Sequence, residues 1–270
     1  MDQKTKAEAF ARLHHGAEIL ILPNAWDAAS AAILADAGAK AVATSSAAVA
    51  WTFGYPDGDA LPRPQLLMSI AAAAKAVGET PLTADIEGGF TDDLGELGEV
   101  IRGVIEAGAV GVNLEDGTRA AELHARKVAA ARKAAEATGV SLFINARIDL
   151  YLRRLAEGHA AFAETVERAK RYLEAGASGI FVPGVKDEDV IGRLADAIAA
   201  PLNIILSPGL APAERLQALG VRRLSSGTAP FRAAYAPLGK AAAAYLATGE
   251  AAAFAAGAEG LPNLNQRFAS

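Results

Sequence analysis

The sequence contains no cysteine. Disulfides, thiolate metal sites and a cysteine nucleophile are therefore excluded. It also has no dense basic cluster, since 26 Lys and Arg residues stand against 31 Asp and Glu residues and leave a formal net charge of -5. Without a basic patch to follow a phosphate backbone, nucleic acid is not an expected partner.

Long apolar runs are missing as well. The run at residues 19–22 is too short for the core of a signal peptide, and charges such as Asp36 and Lys40 interrupt the alanine-rich stretches. We therefore expect no export, no membrane partner and a cytoplasmic location.

The length of 270 residues and the hydrophobic content of 52% suit one large domain, here residues 1–270. Short β-prone runs alternate with segments long enough for helices, as in parallel βα units. Eight strands are predicted, at 19–23, 41–45, 82–87, 111–115, 142–147, 179–183, 202–207 and 223–226. Helices are predicted at 99–106 and 163–174 from apolar residues three and four apart.

An Ala-Gly-Ala stop recurs at residues 37–39, 107–109 and 175–177, just before a strand each time. No GxGxxG motif follows the first strand, which favours a closed barrel over an open dinucleotide-binding sheet. The predicted fold is a single α/β domain, a (β/α)8 TIM-type barrel. Residues 232–270 form a C-terminal helical extension, with helices at 241–247 and 251–256, which either closes the barrel or packs on a partner subunit.

Acidic residues gather where the predicted strands end. Asp85 and Glu87 are two residues apart, so they share one face of their strand, and Glu115 ends the next strand. The active site of such a barrel lies at these strand ends. Carboxylates that crowd there need a cation, and oxygen ligands without His or Cys favour Mg2+ or Mn2+. The alternative is that the three are separate surface charges that cap helices.

Arg147 lies among these acids, and its planar guanidinium suits a carboxylate or a phosphate. It could equally be an ion-pair partner of Glu115 or Asp149. Residues 44–47 offer hydroxyls and successive N–H groups at a strand-to-loop transition, which could hold an anionic oxygen.

Six motifs follow one another at the predicted strand ends. They are PNAWDAASA at 23–31, TSS at 44–46, GYPD at 54–57, ADIEGG at 84–89, GVNLED at 111–116 and NAR at 145–147. Together, over roughly residues 17–232, they resemble the isocitrate lyase/phosphoenolpyruvate mutase superfamily. The resemblance implies a barrel with Mg2+ held near Asp85, and with Glu87 and Glu115 acting mostly through metal-bound water. It further implies that Asp57 lies close to the metal and that Ser46 and the Ala47 N–H bind the 2-oxo carboxylate.

Arg147 would then bind the other anionic group of the substrate. The implied chemistry is a metal-stabilised enolate formed by C–C or P–C cleavage. Superfamily members usually form homotetramers that exchange a C-terminal helix, so a dimer of dimers is expected. The candidate metal ligands are Asp85, Glu87 and Glu115; the candidate catalytic residues are Asp57, Glu115 and Arg147; the candidate substrate-binding residues are Trp26, Thr44, Ser45, Ser46, Ala47, Arg147 and Asn203.

Departures from the superfamily pattern narrow the predicted reaction. The cysteine loop of isocitrate lyases and the Lys- and Asn-containing gating loop of the mutases are missing or shortened, position 87 has Glu where Asp is usual, and 183–184 lacks the mutase histidine. We predict a Mg2+-dependent lyase or decarboxylase for a small 2-oxo or 2-hydroxy dicarboxylate such as oxaloacetate, with 2-oxoglutarate as a further diacid ligand.

Four alternatives remain open on the sequence. They are a P–C bond enzyme of the phosphonopyruvate type, a Schiff-base enzyme that uses Lys186, a 2-oxo acid binding protein without turnover, and a phosphate site at 207–209 and 225–227.

Overall fold

The computed structural model describes residues 1–269, without the side chains of 256 and 257, so Ser270 of the predicted domain lies outside the described residues. Its strands are all parallel and form one closed barrel. They are β1 (Leu20–Leu22), β2 (Asn24–Ala25), β3 (Val42–Thr44), β4 (Leu82–Asp85), β5 (Gly111–Glu115), β6 (Phe143–Arg147), β7 (Gly179–Phe181), β8 (Leu202–Ile205) and β9 (Arg223–Ser225). The predicted (β/α)8 barrel is therefore confirmed.

The first predicted strand is split in two. Pro23 has no N–H to donate, so β1 and β2 flank it, β1 pairing with β9 and β2 with β3. The carbonyl of Pro23 still accepts from Ala43 N at 2.9 Å. We call this junction between β9 and β3 the seam of the barrel, and Asn24 bridges it. Its Oδ1 accepts from Ser226 N and Gly227 N, both at 2.9 Å, while its Nδ2 donates to Thr44 O at 2.8 Å.

Helices surround the barrel. They are α1 (Gln3–Leu13), α2 (Ala28–Asp36), α3 (Ser46–Thr52), α4 (Arg63–Ala76), α5 (Leu94–Glu106), α6 (Ala121–Thr138), α7 (Gly158–Glu174), α8 (Glu188–Ala197), α9 (Ala213–Ala218), α10 (Ala229–Thr248), α11 (Ala252–Ala258) and α12 (Leu264–Phe268). Within residues 1–269, no helix is both long and apolar enough to cross a membrane.

Helix α5 illustrates how the sequence sets these elements. Asp93 caps it by accepting from Glu96 N at 2.8 Å. Leu97, Ile101 and Val104 recur at helical spacing and are buried against the barrel.

Helix α1 closes the N-terminal end of the barrel. The Phe10 ring meets the Phe143 ring edge-on at 5.6 Å, and the His14 ring stacks on Phe143 at 3.9 Å. Because this end is plugged, the mouth at the C-terminal strand ends is the accessible one.

Two sequence predictions need correction. Residues 44–47 were expected at a strand-to-loop transition, but α3 begins at Ser46, with only Ser45 between it and the end of β3. The predicted helix at 241–247 is the second half of α10, which begins already at Ala229.

Candidate active site

Asp85 is the last residue of β4 and is almost fully buried at the barrel mouth. Its Oδ2 accepts from Ser46 Oγ at 3.1 Å, and its N–H donates to Thr44 Oγ1 at 3.0 Å. Among the described residues, Asp85 Oδ1 has no hydrogen-bond partner. Burial raises the pKa of this carboxyl, so a cation at Oδ1 would relieve an unfavourable environment for the charged form.

Glu87 lies beyond the end of β4, in a left-handed turn with φ of 51°. The expectation that Asp85 and Glu87 share a strand face is therefore wrong, although both side chains are buried. Glu87 Oε2 accepts from Gly58 N at 2.8 Å and also from Asp59 N. Burial, together with the charges of Asp57 and Asp85, raises the pKa of Glu87 to about 7.

Asp57 is exposed on the loop between α3 and α4. Its negative charge contributes to the raised pKa of both Asp85 and Glu87, so Asp57 lies within electrostatic range of both carboxyls. Within the part of the chain that the structure describes, no three His, Asp or Glu side chains converge as a direct metal cluster. The arrangement is compatible with one direct carboxylate ligand and other acids that reach a metal through water.

Arg147 is held by acidic partners on the inner face of β6. Its Nη1 lies 2.6 Å from Glu115 Oε2, while Nε and Nη2 donate to the two oxygens of Asp149 at 2.7 and 3.2 Å. The alternative role of Arg147, as an ion-pair partner of Glu115 or Asp149, is therefore present in the structure with both partners. Burial opposes the charge of Arg147, but Glu115 and Asp149 outweigh it and raise its pKa.

Glu115 is 7% exposed, and a second arginine, Arg153, lies 3.6 Å from its Oε1. Burial raises the pKa of Glu115 to about 8, and the Arg147 guanidinium opposes that rise. Glu115 therefore lies between two arginines and the Asp85 carboxyl, whose charge also raises its pKa.

Asp116 follows Glu115 in sequence, but its side chain contacts helix α7 instead of the other site acids. It is fully buried, and its carboxylate accepts from Asp149 N at 2.9 Å and from Arg168 Nη1 and Tyr172 Oη at 2.8 Å each. These contacts tie the end of β6 to α7. Asp116 therefore has a structural role.

The other predicted substrate-binding residues near β2 and β3 divide into two groups. Ser45 and Ala47 are buried at the start of α3, beside Ser46, and Ser45 N donates to Ala25 O at 2.9 Å. The Trp26 ring instead packs edge-on against Phe231 and Tyr235 of α10, at 5.3 and 6.2 Å.

Asn203 lies inside the barrel, near the start of β8, rather than at the mouth. Its register partners are Phe181 and Arg223, and its Oδ1 accepts from Ser225 Oγ at 3.3 Å. Arg223 was missed by the sequence reasoning. It is 1% exposed, its Nη2 donates to Asn113 Oδ1 at 3.0 Å, and Nε and Nη1 have no partner among the described residues.

Burial lowers the pKa of Arg223 to about 9, which leaves it charged at neutral pH. Asn113 and Asn145 join it, with Asn145 Nδ2 donating to Asn113 Oδ1 at 2.9 Å. The sequence did contain a signal for the two asparagines. Each stands two positions before a site residue, Glu115 or Arg147, and therefore lies on the same face of its strand.

The structure does not support the Schiff-base and phosphate alternatives. Lys186 Nζ is exposed and donates to Pro208 O at 3.0 Å. In the loop after β9, the N–H groups of Ser226 and Gly227 are already used by Asn24. A phosphate would have to displace that seam contact.

The chain is similar to several known proteins. An uncharacterised protein of Mycobacterium tuberculosis (strain ATCC 25618 / H37Rv) is 35% identical over 225 residues, covering 83% of this chain and 84% of that protein. The oxaloacetate decarboxylase of Pseudomonas entomophila (strain L48) is 34% identical over 167 residues, covering 58% of this chain and 56% of that one. A crystal structure of a candidate lyase/mutase from Burkholderia cenocepacia J2315 is 36% identical, with a TM-score of 0.88 over 99% of this chain and 97% of that one.

The family comparison covers most of the barrel. A profile of phosphoenolpyruvate phosphomutase matches residues 10–246, which include all nine strand segments and every predicted site residue. The resemblance drawn from the strand-end motifs, and the prediction of an enzyme of that superfamily, are thereby confirmed. The chain belongs to the phosphoenolpyruvate phosphomutase family.

Proposed function

We propose that this protein is a divalent-metal-dependent lyase that cleaves a carbon–carbon bond of a small 2-oxo dicarboxylate, with oxaloacetate as the first candidate. The observation that carries the proposal is Asp85, a buried carboxylate at the barrel mouth with one oxygen unpartnered among the described residues. The similarity to an oxaloacetate decarboxylase supports the choice of substrate.

The donor set fits Mg2+ or Mn2+. Carboxylate oxygens without nitrogen or sulfur suit these hard cations, which keep several waters when few protein ligands are supplied. Asp85 Oδ1 would be the direct ligand, and Glu87 and Glu115 would hold metal-bound water. When bound, the ion supplies electrophilic stabilisation of the negative charge that cleavage leaves on the 2-oxo fragment.

The chain's own groups bind and orient the substrate. In this proposal, Ser46 Oγ and the Ala47 N–H hold the 2-oxo carboxylate, while Arg147 attracts the distal carboxylate. Two nitrogens of Arg147 already bind Asp149, so the distal group would compete with Glu115 for Nη1. Asp57 is the exposed acid of the group, and in this proposal it lies closest to solvent at the reacting centre.

The first test is Mn2+ titration by calorimetry, with pyruvate release from oxaloacetate measured on the same preparations. Asp85→Ala should abolish both signals and keep the fold, and Glu115→Ala should weaken Mn2+ binding less. Asp189→Ala, which removes an exposed acid paired with Arg193, is the matched control. Undiminished Mn2+ affinity in Asp85→Ala contradicts the proposed ligand.

The same assays separate the remaining alternatives. The family match keeps a P–C bond enzyme as the second candidate. Turnover of phosphonopyruvate but not of oxaloacetate would select it. Mn2+-dependent binding of both acids without any product would select a binding protein.

We also propose that the protein acts in the cytoplasm as a homotetramer in which C-terminal helices are exchanged. Helix α10 has 20 residues and none of them is buried, and Leu246 is 82% exposed. Such a face favours cover by another subunit. Deleting residues 240–270 should give a smaller or aggregated species by light scattering, whereas an unchanged tetramer mass contradicts the exchange.

A further inference from the structure

The loop that carries Asp57 is fastened to the turn after β4 by hydrogen bonds between carboxylates and backbone N–H groups. We call residues 54–61 the Asp57 loop. Glu87 Oε2 accepts from Gly58 N at 2.8 Å and from Asp59 N, so the turn after β4 holds the loop. In return, Asp59 Oδ1 accepts from Gly88 N and Phe90 N, both at 3.1 Å, so the loop holds the turn.

This reciprocal contact keeps the backbone in an unfavourable conformation. Asp59, Glu87 and Phe90 have φ values of 58°, 51° and 61°, in the left-handed region that residues other than glycine rarely adopt. Such conformations persist only where the surrounding contacts enforce them.

Arg119 adds a third contact that holds the Asp57 loop, through the carboxylate of Asp59. It lies in the turn between β5 and α6, and its Nη2 donates to Asp59 Oδ2 at 3.0 Å while its Nε donates to Asp92 Oδ1 at 2.7 Å. Asp92 Oδ1 also lies 2.7 Å from Lys127 Nζ, and the Lys127 side chain is fully buried. A Cβ at position 88 would meet the ends of the Arg119 and Asp59 side chains, so a larger residue there would have to displace their ion pair.

We propose that Arg119 is a positioning residue, which acts through Asp59 to hold Asp57 over the metal site. The inference deepens the proposed function and depends on it for its catalytic consequence. Among the described residues, the Arg119 side chain forms no hydrogen bond or ion pair with Asp85 or Glu87. It binds Asp59 on the Asp57 loop and Asp92 in the turn before α5, and only the Asp59 contact reaches the loop directly. Its effect therefore passes through the loop.

The test compares Arg119→Met, Asp59→Asn and the double variant in the full-length protein. Asp59→Asn keeps Oδ1 as an acceptor for Gly88 and Phe90 but loses the ion pair. Each single variant should speed hydrogen exchange in peptides covering residues 54–61 and lower kcat on oxaloacetate by about tenfold, the cost of one charge-assisted contact. KM should change by less than about twofold. The double variant should be no worse than either single one, because both remove the same contact.

Arg119→Lys should restore part of the exchange protection and of kcat. The matched control is Arg171→Met, which removes an arginine that also bridges two carboxylates, Glu122 and Glu167, away from the site. Unchanged exchange in Arg119→Met overturns the fastening, and faster exchange with unchanged kcat overturns the positioning role. If the wild-type protein neither binds Mn2+ nor turns over oxaloacetate, the proposed function fails, while the exchange measurement still decides whether Arg119 fastens the loop.

Discussion

Replacing Asp116 by asparagine should destabilise the protein without weakening metal binding. Asparagine can still accept from Asp149 N, but it loses the charge that faces Arg168 and the acceptor shared with Tyr172. Removing one partner of a buried ion pair costs about 3–5 kcal/mol. Arg168 keeps a second contact to Glu164 at 2.8 Å, which places the expected loss near the lower end, at about 3 kcal/mol.

For a chain of this size, about 3 kcal/mol corresponds to a fall in Tm of about 6 °C. Thermal unfolding followed by circular dichroism, and Mn2+ titration of the same samples, measure the two effects separately. The neighbouring substitution Glu115→Gln should weaken Mn2+ binding and lower the Tm less, because burial raises the pKa of Glu115 to about 8 and Arg147 keeps both contacts to Asp149. If Asp116→Asn lost Mn2+ affinity while keeping its Tm, the division between a scaffold acid and a site acid would be refuted.

The remaining predictions concern pH and substrate charge. Because the pKa of Glu87 is raised to about 7, the folded protein binds this proton more tightly than the unfolded chain does, and protonation of Glu87 stabilises the fold. This contribution to the free energy of unfolding is complete below about pH 4.5 and is lost as pH rises through about 7. It amounts to about 3 kcal/mol, at about 1.4 kcal/mol per pKa unit. The difference in Tm between the metal-free wild type and Glu87→Gln should therefore change between about pH 5 and 8; a constant difference excludes the shift. Mn2+ affinity should rise with pH over the same range, because Glu87 and Glu115 must lose protons to hold the ion's water, and a flat profile in calorimetry contradicts this. Arg147→Lys should lose about tenfold in affinity for oxaloacetate and little for pyruvate in competition at fixed Mg2+, whereas equal losses place Arg147 at the shared 2-oxo carboxylate.

Much of the site was predictable because barrel topology brings strand ends together. Asp85, Glu115 and Arg147 each end a strand, and adjacent parallel strands place them at one mouth regardless of the loops. Ser46 could be placed for the same reason, because it lies two residues after the end of β3, which pairs with β4. Only the spacing of apolar runs and the order of the motifs were needed.

The rest depended on distances that spacing does not fix. The sequence could not say that Arg147 pairs with Asp149 and Glu115, since the ion-pair and substrate-binding roles use the same residue types. Glu87 was misplaced because the left-handed turn after Asp85 is stabilised by a loop 28 positions away. Arg223 was missed because a barrel interior is usually filled by branched apolar residues, and a buried guanidinium has no local signature.

The seam at Asn24 has a consequence for synthesis of the chain. Asn24 binds Ser226 across a separation of 202 residues, and β1 pairs only with β9 among the described strands. At about 5–20 residues per second, the ribosome needs about 10–40 s to add that length. Throughout that interval the outer edge of β1 has no neighbour, and an unpaired strand edge is a template for wrong pairing between nascent chains. The first strand of the barrel is thus among the last to gain its partner, and until β9 is made its edge is open to wrong pairing.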